Sequence, residues 1–319
     1  MSNPGFLQLI AQIRDFEHLM IPAGKTPWVS RFTRPAHQVD VVLYLGCNIL
    51  RMAHLAFDVV DLLQVLEVNF IAVAGPQFCC GIVHHRAGDL EGANRFSQAT
   101  VAKFEAYGAK QIVIWCPTCQ LRFEELIQNG VIPRIPMIHA SAFLSAKAAQ
   151  FDFHGLPPTR LAVHTHVGSR QQELDAEAAI KLLQAVPGVE VAGVLSSPDL
   201  GYQCAPVLLP QLGPERFRSI LDNLALDARR LHADKLVTLY HSCHRELCGV
   251  GEGSLVVQNY VSLLAEALGC AHRDYFQEFK KLSVPDTIVD LSRPMWESHG
   301  LTEEHAMRLA TKYFVSKKD

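Results

Sequence analysis

From Val41 onward the chain alternates short, continuous apolar runs with longer stretches that place an apolar residue every third or fourth position. VVLYLG (41–46), NFIAVAG (69–75) and QIVIW (111–115) read as buried strands, while 49–66, 89–107 and 120–129 carry helical periodicity. FDFHGLPPTR (151–160), with its Gly and Pro-Pro, interrupts the pattern as a linker. The order then repeats: strands over 160–165, 189–195 and 235–240, helices over 171–186, 214–232 and 254–269. Strands alternating with helices predict an α/β fold in which a parallel sheet carries helices on its faces.

Superposing the halves shows an internal repeat. YLGCNILR (44–51) lies over VHTHVGSR (163–170), FCCG (78–81) over YQCA (202–205), and IVIWCPTC (112–119) over LVTLYHSC (236–243), with one short insertion reconciling the three blocks. The expected organisation is an N-terminal extension (1–38), a first α/β domain (39–150), a second (151–270) and a helical tail (271–319). The tail ends in LTEEHAMRLATKYF, a helix with Thr302 as its N-cap and acids in its first turn. Both extensions are expected to pack or dock, not to do chemistry.

Length and charge narrow the function classes. The 319 residues leave room for two domains with real cores. A formal charge of -3 gives no electrostatic footprint for nucleic acid. No apolar run is long enough to span a membrane, and the N-terminal residues lack the basic start of a signal peptide, so the expected location is cytoplasmic.

The unusual feature is 9 Cys and 15 His. In a reducing compartment thiols serve more often as ligands or redox groups than as staples. Cys47, the pair Cys79-Cys80, and Cys116-x-x-Cys119 each follow a predicted strand. Parallel strands direct their carboxyl ends to one edge of the sheet, so these five thiols should converge. Soft thiolates held together select zinc or an iron–sulfur cluster. Zinc takes four ligands, and vicinal cysteines reach one tetrahedral ion with difficulty, whereas a multinuclear cluster offers several irons.

Cys47, Cys79-Cys80-Gly81 and Cys116-x-x-Cys119 together resemble the CCG domain, the cysteine-rich module of the B-type subunit of heterodisulfide reductase and of related proteins in sulfur oxidation and in lactate and glycolate oxidation. The resemblance covers residues 40 to 250. It implies that Cys47, Cys79, Cys80, Cys116 and Cys119 bind a non-cubane 4Fe-4S cluster, and that the chain is an oxidoreductase acting on a disulfide, thiol or persulfide within a multi-subunit complex. The chain has no ferredoxin-type cysteine run and no flavin or nicotinamide fingerprint. Electrons would therefore come from a ferredoxin-like iron–sulfur subunit, with a flavoprotein subunit as a further candidate partner.

The second copy departs from the motif. Cys204 and Cys243 remain, while His166, Gln203 and Tyr240 stand where thiols belong. Three outcomes stay open. The second site is empty; or it holds zinc or a smaller cluster through His166, Cys204 and Cys243, with His164, His241, His244 or Cys248 as fourth ligand; or these groups line a substrate or proton path. In the last case His166 and His244 are the candidate catalytic acids. His84-His85 read as surface or supporting residues, Cys270 as a core thiol, and GVGEGS (249–254) as a turn that starts a helix. Two other functions compete with the leading one: an electron-transfer-only subunit of an organic-acid oxidase type, and a zinc-binding interaction protein.

Overall fold

The computed structural model describes residues 3–35, 37–250 and 255–315. Within them the chain divides into two compact units. One is drawn from Met1–Val60, Glu67–Ile138 and Asp274–Asp319, the other from Asp61–Leu66 and His139–Arg273. The four-residue stretch 251–254, most of the GVGEGS turn, lies outside the described residues.

Each unit is built on a four-stranded sheet, and the two sheets share one strand order. In the first unit β1 (Val41–Gly46) lies between β2 (Phe70–Ala74) and β3 (Gln111–Ile114), and β4 (Met137–His139) follows β3, giving β2-β1-β3-β4. In the second, β5 (Thr159–His164), β6 (Val189–Leu195), β7 (Lys235–Thr238) and β8 (Val256–Asn259) form β6-β5-β7-β8. β1 pairs in parallel with β2 and β3, and β5 with β6 and β7. The expected α/β architecture and its repetition are therefore present. β1 is a central strand buried along its whole length, which is why VVLYLG is a continuous apolar run instead of an alternating one.

Two strands differ from expectation. β4 carries no strand signature of its own, since three residues are too few to show a period. The helix expected over 254–269 begins with β8, and Tyr260–Ala267 alone is helical. Val256 and Val257 are β-branched, and the Asn259 side chain accepts from the Val261 amide, so the helix is capped only there.

The first unit is closed by both chain extensions. The helix Pro4–Met20 is capped by Asn3, whose side chain accepts from the Gly5 and Phe6 amides. Phe16 of that helix packs against Phe276, Tyr313 and Phe314. Asp15 accepts from the Tyr313 hydroxyl at 2.7 Å and from Lys312 at 3.1 Å. The terminal helix Glu303–Phe314 starts on Thr302 as its sequence indicates, the threonine side chain accepting from the His305 amide.

Two measurements follow from this packing. Gly81 sits at φ +79, and a Cβ there would meet the Ala93 carbonyl oxygen at 2.2 Å. Gly81→Ala should therefore cost about 2–5 kcal/mol of stability in denaturant titration, combining left-handed strain with overpacking. His18 is the second case: burial first, then its neighbour His299, lowers its imidazole from 6.5 to about 4. Between those values the unfolded chain binds a proton that the folded chain refuses, so stability falls as pH drops through that window. His18→Gln should flatten the fall, and a urea midpoint–pH profile identical to the parent's would contradict this.

Candidate metal centres

In the first unit the strand ends deliver the five thiols. Cys47 follows β1 directly. Cys79 and Cys80 follow the turn Pro76–Phe78 after β2, and Cys116 caps the helix Pro117–Gln128 after β3. That helix starts three residues earlier than its periodicity indicates, which places Cys119 in its first turn. All five are buried, Cys47 being the most exposed at 7%. The thiols contact one another in a chain from Cys47 to Cys79, Cys79 to Cys80, Cys80 to Cys119 and Cys119 to Cys116.

The surrounding structure shapes this group closely. At Gly46 (φ +77) a Cβ would lie 3.4 Å from the Cys119 sulfur, so the backbone passes tight against the thiols. The Tyr44 hydroxyl donates to the Phe78 carbonyl at 2.6 Å and lies 3.6 Å from Cys119 Sγ. From the helix Leu90–Ala106, Ser97 and Thr100 donate to the Cys80 and Cys79 carbonyls, each at 2.8 Å. The Gly81 amide donates to Cys79 Sγ at 3.3 Å.

The thiols split one another's ionisation, some being pushed up and others drawn down. The Cys79 contact and then burial push Cys47 up, and contacts with Cys116 and Cys80 push Cys119 up. Cys80 is drawn down by the Cys119 thiol and then by Cys79, and Cys116 by Cys119. Of the nearby cations, Arg51 favours the thiolate of Cys47 and Arg86 that of Cys116. Five thiolates together would need more positive charge than that, of the kind metal cations supply. Among the described residues, the groups of three or more ligand atoms lying within 4.8 Å of one another do not include these sulfurs. The spread suits a multi-iron group better than one ion.

A cavity of about 230 Å³ lies against the turns that carry this centre. Leu50, Gly75 and Pro76 are among its lining residues, with Ile13, Glu17 and Trp28.

The second unit brings together His164, His166, Cys204 and Cys243, all four buried and with ligand atoms mutually within 4.8 Å. His164 ends β5, and His166 follows two residues on. His164 Nε2 is 3.2 Å from Cys204 Sγ, and His166 Nε2 is 3.0 Å from Cys243 Sγ and 3.7 Å from Cys204 Sγ. The remaining candidates for a fourth ligand, His241, His244 and Cys248, are buried on or beside the helix His241–Leu247 and fall outside this foursome. Cys248 instead donates to the Arg245 carbonyl at 3.4 Å.

The other two replaced positions are filled as well. Tyr240 is fully buried; its ring stacks on His166 at 5.9 Å and its hydroxyl donates to Asp175 at 3.2 Å. Gln203 is buried as well. Asp175 escaped the sequence reading. Its signal was a carboxylate on the buried stripe of the helix Arg170–Gln184, with Gln172, Ala176 and Ala179.

Other residues have plain roles. His84 is held between Phe6 and Phe96 with Nδ1 2.8 Å from Asp89. Cys270 is partly exposed and not the core thiol its sequence suggests, because Gly269 (φ +72) turns the chain away at the end of its helix.

Fold and site together define a class: a duplicated α/β chain with a cysteine-rich centre at the strand ends of its first unit. Residues 41–124 match the family model CCG, a cysteine-rich domain. The D-type subunit of the dihydromethanophenazine:CoB–CoM heterodisulfide reductase of Methanosarcina acetivorans is 23% identical in an alignment of length 281 that covers 83% of this chain and 67% of that protein. These findings support a CCG, heterodisulfide-reductase-like family, without singling out the B-type subunit. An aspartate racemase homologue from Pyrococcus horikoshii aligns with a TM-score of 0.32 and 10% identity over 72% of this chain and 99% of that chain. The aspartate racemase of Picrophilus torridus aligns at 0.30 and 11%, over 74% and 97%. Likeness at that level carries no argument about function. No helix among the described residues is long and apolar enough to cross a membrane.

The burial pattern sets an expected thiol count. Cys270 is partly exposed and the other cysteines are buried, so an aromatic disulfide reagent should label one thiol quickly in the folded chain and the rest only after denaturation with chelator. Cys270→Ser should remove the fast phase; several fast thiols in the parent would contradict the burial described.

Proposed function

We propose that this chain is an iron–sulfur redox subunit of a heterodisulfide-reductase-like complex, with Cys47, Cys79, Cys80, Cys116 and Cys119 as ligands of a non-cubane 4Fe-4S cluster. The observation that carries this reading is the set of five buried thiols, touching in a chain at three adjacent strand ends, in the segment that matches the CCG model. When bound, the cluster would supply one-electron chemistry for making or breaking a bond at a sulfur substrate.

The chain's own residues set the conditions for that chemistry. Ser97 and Thr100 fix the Cys80 and Cys79 backbone, so two vicinal thiols keep distinct directions. Gly46 admits the helix-borne Cys119 close to β1. Arg86 favours the thiolate of Cys116, Arg51 partly offsets the Cys79 contact and burial that push Cys47 up, and burial excludes water. The adjacent cavity, with Glu17 and Arg14 among mostly apolar walls, is the space we assign to a small thiol, disulfide or persulfide. Electrons would enter from a ferredoxin-like partner, since the sequence carries no relay of its own. Proton transfer is not assigned to His166, because both of its ring nitrogens are engaged, with the Gly201 carbonyl and with Cys243.

One observation favours a second reading. The sulfurs are so fully enclosed that the cluster would serve electron transfer alone, without touching substrate. Thiols that perturb the paramagnetic resonance signal of the oxidised protein support substrate contact, and an unmoved signal supports transfer only.

The direct test of the centre is iron and labile-sulfide analysis of anaerobically purified protein. About four of each per chain are expected for a 4Fe-4S cluster, and iron-free protein overturns the proposal. Cys80→Ala should lose the visible absorption while keeping its circular dichroism; full iron content in that variant would refute the ligand assignment.

A further inference from the structure

The second unit carries a ligand set of a different kind. His164 ends β5 and His166 lies two residues beyond it, and their rings come together with centroids 4.9 Å apart. Each ring anchors its Nδ1 on a backbone carbonyl, His164 on Leu195 at 3.2 Å and His166 on Gly201 at 2.9 Å. A carbonyl accepts only, so each imidazole carries a proton on Nδ1, and in its neutral form turns the Nε2 lone pair inward. That is the arrangement by which metal-binding histidines are oriented from behind. The lone pairs meet the two thiols at 3.0, 3.2 and 3.7 Å. The edges of a zinc tetrahedron with N and S ligands are about 3.3–3.8 Å, given bonds of about 2.0–2.3 Å, so little movement separates these positions from coordination.

Three observations decide what such a site accepts. Two thiolates and two neutral imidazoles balance one dication, which allows complete burial without a counter-ion. Tyr240, stacked on His166 and held by Asp175, occupies the position of a cluster thiol, so the space that a multi-iron group needs is filled by a phenol. All four ligands are at most 2% exposed, which leaves no open coordination position for water or substrate.

We propose that His164, His166, Cys204 and Cys243 bind a single zinc ion in a closed tetrahedral site that stabilises the second unit and takes no part in redox chemistry. The assignment stands independently of the iron centre in the first unit. A hydrogen-bonded His–thiol core without metal is the competing account, and the two differ in composition.

The experiment is metal analysis of the full chain grown with zinc available and dialysed without chelator. One zinc per chain is expected whether or not the first centre is loaded with iron. His164→Asn should lower zinc at least tenfold with iron unchanged, and His164→Cys, which restores a ligand, should regain it. Should the Asn variant fail to fold, cobalt(II) added to zinc-stripped parent protein gives a second readout. Intense tetrahedral ligand-field bands with thiolate charge transfer support the site, and pale octahedral cobalt overturns it. Parent protein with well under one zinc, iron in place of zinc in the second unit, or full zinc in His164→Asn would each overturn the proposal as well.

Discussion

Everything chemical in this chain depends on the direction of its strands. Because β1, β2 and β3 run in parallel, their carboxyl ends reach one edge of the sheet, and donors far apart in sequence arrive together. The second unit repeats the device with β5, β6 and β7. Burial then sets the electrostatics. A neutral thiol is at home in a protein core, whereas a buried thiolate is costly unless a cation answers it. Such centres are stable in two forms, protonated or metal-bound, and metal binding must release protons.

Much of this was legible in the sequence because buried parallel strands are written as unbroken apolar runs. VVLYLG, NFIAVAG and QIVIW located the strand ends, and the cysteines placed just after them located the first centre. What stayed hidden was short or directional. β4 and β8 are an edge strand each, of three and four residues, the second embedded in an apolar stretch that also fits a helix. The fourth member of the second group was one of several neighbouring His and Cys residues. Side-chain direction decides among them: the rings of 164, at the end of β5, and 166, just beyond it, converge, whereas 241 and 244 sit on a helix of which only Cys243 joins the pair. Composition and spacing do not contain that information.

The two units show how one scaffold supports different donor sets. His164 takes the place of Leu45, a core side chain in the first unit, and Thr165 that of Gly46. At Gly46 a side chain would crowd the Cys119 sulfur, while Thr165 is accommodated with its own side chain buried. The close approach of backbone to thiol therefore belongs to the first unit alone. Replacing a core leucine by histidine and a cluster thiol by Tyr240 changes the number of thiolates and the volume available, without changing the strand order.

Those differences bear on which unit suits electron transfer. A redox centre changes its charge by one with each electron, and its surroundings must tolerate both states. Hydrogen-bond donors to sulfur and nearby cations favour the more reduced state. The first unit has both: the Gly81 amide pointing at Cys79 Sγ, Arg51 acting on Cys47 and Arg86 acting on Cys116. In the second, the polar groups bound to the imidazoles are carbonyl acceptors, which fix orientation and favour holding a cation. Acceptors behind the ligands would make a gained electron less welcome there. The division of labour we propose, redox chemistry in the first unit and stability in the second, would thus follow from which backbone groups face each set of donors.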